Sequence, residues 1–176
     1  LYAVEKLGFK KENCYGIDIN EDNVKVCKKL GFVNIIQGDA QDPKTWEKLN
    51  MNFDKIIMNP PYDKNLHLKI LREAMKHSND VVNLSPGNQM FAGMRLIKDH
   101  SEIKKHPELI QHIQDVELIK PEVASRLFNA AFAGPLMLIH YDLTKEGKDY
   151  KDFNIIPKNL RSVFDKTVRA VYEGKY

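Results

Sequence analysis

Asn59, Pro60, Pro61 and Tyr62 stand directly behind FDKII (53–57), a run that reads as a buried strand, where ordinary turn chemistry would place Gly or Asp. An amide side chain beside a proline-fixed backbone carbonyl presents two acceptors at a set angle, and such a pair grips an NH2 group by both hydrogens. An amine conjugated to an aromatic ring is a poor nucleophile because its lone pair is delocalised. Two acceptors pulling on its hydrogens bias the nitrogen toward tetrahedral geometry and aim the lone pair at an electrophile. Tyr62 can stack on the ring that carries the amine, a contact of about 1–3 kcal/mol per base in single-strand binders. Positioning supplies most of the effect, so no general base with a perturbed pKa is required to start the reaction. At average residue usage, NPPY arises by chance in roughly one chain in a thousand of this size, which makes it more than a strand terminator. A proline-rich docking segment is the other plain reading, but the flanking strand and helix leave this stretch no freedom to extend.

Ligands of open α/β sheets gather at the carboxyl ends of the strands, so the residues that follow the other predicted strands carry the next candidates. Asp18 ends the first strand with Ile19 beside it, and Asp39 follows the second. A carboxylate at the first place can accept both hydroxyl hydrogens of a ribose, an apolar neighbour can pack on an adenine face, and the second carboxylate can accept from an adenine amine. Either aspartate taken alone is more often a helix cap or a turn residue. Ser85, in LSPG, lacks a GxSxG context and reads as a turn residue, although its place after the fourth strand would set Ser85 and Pro86 at a substrate rim. The six histidines, at 67, 77, 100, 106, 112 and 140, show no HExxH or paired ligand spacing, so no metal site is expected.

The elements that must position these residues follow from periodicity and caps. LYAVEKLGF reads as the end of a helix stopped at Gly8, and a chain that opens in mid-helix with Leu implies sequence upstream. CYGIDI (14–19) is a strand. Asn20 caps a helix with an acidic first turn and a basic last one, stopped at Gly31, whose buried face is Val24, Cys27 and Leu30. FVNIIQ (32–37) is the second strand, Pro43 opens a short helix through Trp46 and Leu49, and FDKII is the third strand. Leu66, Ile70, Leu71, Ala74 and Met75 recur at helical spacing before DVVNLS (80–85), the fourth strand. Alternating strands and helices with short connections predict a parallel sheet covered on both faces. The second half differs: a helical stretch interrupted at Pro107, DVELIK (115–120), an irregular segment through Phe128, then PLMLIHYDL (135–143). Two strands without a full helix between them predict an antiparallel pair at one sheet edge. Leu160, Val163, Phe164, Val168 and Val171 form an amphipathic stripe that reads as a packing helix.

With Asp18, Asp39 and Asn59-Pro60-Pro61-Tyr62 in this order on successive strands, the chain resembles the S-adenosylmethionine-dependent amino-methyltransferases, most closely the adenine-specific DNA methyltransferases with an NPPY motif. The resemblance runs over most of residues 1–143. It implies a Rossmann-like sheet of the class I methyltransferase kind, seven-stranded and mostly parallel, with an antiparallel terminal hairpin and helices on both faces. It further implies that S-adenosylmethionine is the cofactor, with Asp18 holding its ribose, Ile19 lining its adenine, and Asp39 with Ala40 beside it receiving the adenine amine. Asn59 and the Pro60 carbonyl would hold the target amine, Tyr62 would stack on the base, and Phe128, in RLFNAAF, would pack on the flipped base from the other side. Such an enzyme must extrude its target from double-stranded DNA, as in the DNA methylation of restriction–modification systems. The family's glycine-rich loop, FxGxG or GxGxxG, has no counterpart before Asp18. The expected domains are therefore a methyltransferase domain over 1–150, missing its first strand and cofactor loop, and a basic amphipathic extension over 151–176.

Composition bounds these readings. The chain has 176 residues, is 43% hydrophobic and carries a formal charge of +3. That length supports one well-buried core. No run of eighteen apolar residues and no cleavable leader pattern is present, so a soluble, cytoplasmic protein without membrane contact is expected. Two cysteines, Cys14 and Cys27, fit neither a disulfide framework nor a zinc site and read as small core residues. From residue 144 onward eight basic side chains face five acidic ones, a difference equal to the whole excess. A basic end suits nucleic acid, as it equally suits a solvated lysine-rich surface. Two alternatives stay open. An amide NH2 presents the same two hydrogens, so a protein-glutamine or RNA amino-methyltransferase would use the same motif. A non-catalytic nucleic-acid-binding remnant would keep the fold without the cofactor loop.

Overall fold

The computed structural model of the chain describes residues 2–87 and 108–147. It divides into two compact units, Leu1–Met51 and Asn52–Tyr176.

The first unit runs α1 (Tyr2–Leu7), a single 3-10 turn at Lys11–Asn13, β1 (Tyr15–Asp18), α2 (Glu21–Lys29), β2 (Asn34–Gln37) and α3 (Pro43–Glu47). Local chemistry sets these boundaries. The chain leaves α1 through Gly8 at φ 74°, a conformation that costs glycine nothing. Asn20 caps α2 by accepting from the Asp22 N–H at 2.8 Å, and Asp42 caps α3 by accepting from the Lys44 N–H at 3.0 Å with Pro43 in the first helical position. β1 and β2 pair in parallel from Tyr15 opposite Asn34 to Asp18 opposite Gln37. Val24, Phe32, Thr45 and Trp46 form the buried interior. The expected buried face of α2 is correct at Val24 and wrong at Leu30, which is 42% exposed. Leu30 sits past the last helical residue, and its carbonyl instead receives the Lys11 ammonium at 2.7 Å.

The second unit runs β3 (Ile56–Met58), a 3-10 turn at Asp63–Asn65, α4 (Leu66–Ala74), β4 (Asp80–Pro86), α5 (Glu108–Gln111), β5 (Ile113–Ile119), α6 (Pro121–Phe128) and β6 (Leu136–Asp142). The strand order is β3-β4-β6-β5. β3 lies parallel to β4, with Met58 opposite Asn83. β6 lies antiparallel to both β4 and β5, with Ser85 opposite Met137 and Ile119 opposite Leu136. Side chains alternate across a strand, and the register sorts the core accordingly. Val81, Val116, Met137, Ile139 and Tyr141 share one face and meet Leu68 and Leu71 of α4 and Met75 just past its end. Leu84 and Leu136 point to the other face, where they meet Ala124 of α6 together with Ile119, Phe132 and Tyr62. Helices thus cover both faces of this sheet.

The architecture is α/β and Rossmann-like in kind, with two parallel strand pairs, each joined through a helix, and an antiparallel terminal hairpin. The described residues hold six strands, in one two-stranded and one four-stranded sheet. Two sequence expectations need correction. FDKII is not a five-residue core strand: pairing begins at Ile56, β3 is an edge of its sheet, and Ile57 is 74% exposed. Upstream, the Phe53 N–H is bonded to the His77 carbonyl at 2.8 Å, outside the ladder. The segment before Phe128 is not irregular but helical, with Pro121 at its start and Asn129 left-handed at its end. Among the described residues no helix is long and apolar enough to cross a membrane. The stripe from Leu160 to Val171 and the extension over 151–176 lie outside the described residues.

Candidate functional site

The NPPY tetrapeptide leaves the carboxyl end of β3. Pro60 is buried, Asn59 and Pro61 are exposed, and Tyr62 is half-buried. Rigid φ at two consecutive prolines carries the chain away from the sheet without needing a ladder hydrogen bond. The backbone then reverses through Lys64 (φ 46°) and Asn65 (φ 62°) into α4. Asparagine tolerates that left-handed region, while lysine adopts it at a cost of order 1 kcal/mol. The turn after the motif is therefore a strained one.

A cavity of about 250 Å³ opens at the tetrapeptide. Asn59, Pro60, Pro61, Tyr62, Phe128, Phe132 and Leu136 line it. Five residues nominated from sequence therefore share one concavity. The Tyr62 hydroxyl donates to Asn59 Oδ1 at 2.9 Å, and its ring meets His67 edge-on with centroids 5.8 Å apart at 86°. Burial pushes the Tyr62 pKa above the ordinary phenol value, so the hydroxyl stays a proton donor throughout the neutral range. One lone pair of the Asn59 carbonyl oxygen is engaged by this bond and the second is left.

Phe128 and Phe132 come from the end of α6 and the loop after it, and Leu136 from the start of β6. Asn129 turns left-handed (φ 48°), and the Ala130 N–H returns to the Ser125 carbonyl at 3.3 Å. The Ser125 hydroxyl accepts from the Phe132 N–H at 3.3 Å, folding the loop back on its own helix. Phe128 and Phe132 then meet at a centroid distance of 5.9 Å and 60°, within the range of favourable edge-to-face pairs. Sequence reading nominated Phe128 and missed Phe132. The spacing of four in RLFNAAF, with Asn between the two aromatics, was the available signal. The expectation that Ser85 lies on a rim is corrected: Ser85 is inside β4, paired with Met137 and 2% exposed.

The remaining nominated residues belong to the first unit, where the Gly38 N–H donates to the Asp18 carbonyl at 3.1 Å and ties together the carboxyl ends of β1 and β2. Asp18 accepts from the Asn20 N–H at 2.8 Å through Oδ1 and from Asn23 Nδ2 at 3.0 Å through Oδ2. Each oxygen keeps one acceptor site. Ile19, the next residue, is 70% exposed. Asp39 accepts from the Gln41 N–H at 2.9 Å and from Gln41 Nε2 at 3.2 and 3.3 Å. The Ala40 carbonyl accepts from Trp46 Nε1 at 2.9 Å, which fixes the backbone here.

No protein-family model and no curated protein sequence matches the chain. Among solved structures it is similar to a protein of Thermoplasma acidophilum, at 18% identity over 72% of this chain and 59% of that one, with a TM-score of 0.42. It is similar also to the S. pombe Dnmt2 methyltransferase, at 14% identity over 85% of this chain and 45% of that one, with a TM-score of 0.47. An rRNA methylase of Streptococcus thermophilus is matched at 12% identity over 73% of this chain and 72% of that one, with a TM-score of 0.42. The chain spans about three fifths of the length of the first of these proteins. The likeness is one of architecture and, at these scores, goes no further.

Proposed function

We propose that the chain belongs to an S-adenosylmethionine-dependent methyltransferase acting on the exocyclic amine of adenine in DNA, with the target base turned out of the duplex into the NPPY cavity. The observation that carries this reading is that Asn59, Pro60, Pro61, Tyr62 and Phe128 line one cavity of about 250 Å³. That size suits a single planar ring system better than a drug-sized ligand, for which pockets of roughly 300–1,000 Å³ are usual. The aromatic side chains in its lining, Tyr62, Phe128 and Phe132, suit a heteroaromatic base. A glutamine side chain presents the same NH2 group but no ring, and would leave these aromatic walls without a partner. Asn59 Oδ1 and the Pro60 carbonyl would accept the two amine hydrogens.

The first unit fits a nucleoside cofactor on its own observations. Asp18 is oriented by two internal donors yet retains an acceptor site on each oxygen, the requirement for a ribose diol. Exposed Ile19 stands next to it as an apolar surface for an adenine face. When bound, the cofactor would supply an electrophilic methyl group, and the chain's own residues would hold the amine and cover the base. Double-stranded DNA is the proposed partner, in keeping with the positive net charge.

Transfer of labelled methyl from S-adenosylmethionine to adenine-containing duplex DNA, abolished in Asn59→Ala, is the expected result. Transfer to RNA or to a glutamine-bearing peptide with none to DNA would replace this reading with one of its alternatives. DNA binding without any cofactor affinity would leave only a binding module.

A further inference from the structure

We infer that the Tyr62 hydroxyl is a positioning group for Asn59, holding the carboxamide so that one lone pair of Oδ1 faces the incoming amine. This rests on the reading of the cavity as an amine-binding site and adds to it a role for the phenol that is separate from stacking. Asn59 is an exposed side chain at the end of an edge strand. Left to itself, such a side chain samples several rotamers and both amide orientations, and ordering it on binding costs affinity. Its oxygen is instead fixed at 2.9 Å from the Tyr62 hydroxyl.

The phenol can impose that order because its own ring is held. One edge contact runs to the fully buried His67, and the ring packs on the cluster of Leu84, Ala124 and Leu136. Rigidity thus passes from the sheet through an aromatic ring and a hydroxyl to the Asn59 amide. In that bond the hydroxyl proton is directed at Oδ1, which leaves the oxygen on the phenol side and Nδ2 turned away from it. A carbonyl oxygen has two lone pairs. With one committed to Tyr62, the second and the neighbouring Pro60 carbonyl form the acceptor pair, and Pro60 is held by its ring and by burial.

Tyr62→Phe tests this while keeping the ring. In the 15N-labelled protein, relaxation of the Asn59 side-chain amide is expected to move toward the flexible range, to order parameters below about 0.6, with the melting temperature unchanged. Methyl transfer to adenine DNA is expected to fall about threefold to tenfold in kcat/KM, the worth of one ordinary hydrogen bond. The loss should vanish when Tyr62→Phe is made in an Asn59→Ala background and binding of the same DNA is compared. An Asn59 amide equally ordered in Tyr62→Phe, or transfer as fast as in the unaltered protein, overturns the inference. An amide that loosens in a protein unable to methylate DNA upholds the positioning role and removes the methyltransferase reading.

Discussion

Phe132 meets Phe128 edge to face across 5.9 Å, yet the two rings differ in attachment: Phe132 packs on the Leu84–Ala124–Leu136 cluster, whereas Phe128 is 42% exposed at the helix end. The pair therefore divides labour between holding the wall and presenting it.

That division predicts opposite signatures for two substitutions. Phe128→Ala is expected to change stability by less than about 1 kcal/mol, as an exposed position does, while weakening binding of an adenine-bearing strand by about 1–3 kcal/mol through lost stacking. Phe132→Ala is expected to lower stability by about 2 kcal/mol or more, since it empties part of a packed cluster, and to loosen Phe128 as a consequence. Urea unfolding and titration with the same oligonucleotide, run on both variants, separate the two. Equal stability losses would show that the rings are attached alike.

Asp18 offers a test confined to the first unit. Asp18→Asn preserves size and keeps one oxygen, but it replaces a charged acceptor pair with one acceptor and one donor. Hydrogen bonds to a charged group are worth about 1.5–3 kcal/mol, so S-adenosylmethionine affinity measured by calorimetry should fall about tenfold to a hundredfold. Because Asn23 Nδ2 donates to Oδ2, a donor placed there would also repel it, and Asn23→Ala in the variant background should recover part of any stability loss. Unaltered affinity would remove Asp18 from the cofactor site.

How much of this was legible beforehand depended on whether the deciding contact was local. Asn20 could be read as a cap because it bonds an N–H two residues away, and Pro43 as a helix start because its ring alone fixes the first helical φ. β4 and β6 could be read as strands because both are long apolar runs, and each ends up between two neighbours. β3 could not be placed at an edge from FDKII, since edge or centre is a property of the whole sheet and Ile57 carries no mark of its 74% exposure. α6 escaped notice because Leu127 and Phe128, its most apolar residues, are exposed and only Ala124 is buried. Its true markers were Pro121 and Asn129. Phe132 escaped because its place depends on the Ser125 hydroxyl seven residues back. Nominating the tetrapeptide needed only the chemistry of an amide beside two prolines; the hydroxyl bond within it needed coordinates.

The turn closing β6 makes stability depend on pH in a defined window. Lys145 Nζ donates to Asp142 at 2.6 Å, and the Thr144 hydroxyl and N–H donate at 2.5 and 3.0 Å. These bonds, the lysine's foremost and then the threonine's, hold the Asp142 carboxyl down from the usual 3.8 to about 2. A depressed folded-state pKa means that the folded protein binds the proton less readily than the unfolded chain, so the stabilisation is present above about 3.8 and fades as the pH falls toward about 2. The Lys145 pKa is raised by the same pair, so its share is present below the ordinary lysine value and is lost in strong alkali. Asp142→Asn should accordingly unfold at lower urea than the unaltered protein at neutral pH, with the difference closing as both are taken from about pH 4 to about pH 2. A difference that stays constant across that range would trace the effect to the packing of the turn, and the carboxylate would then contribute nothing through its charge.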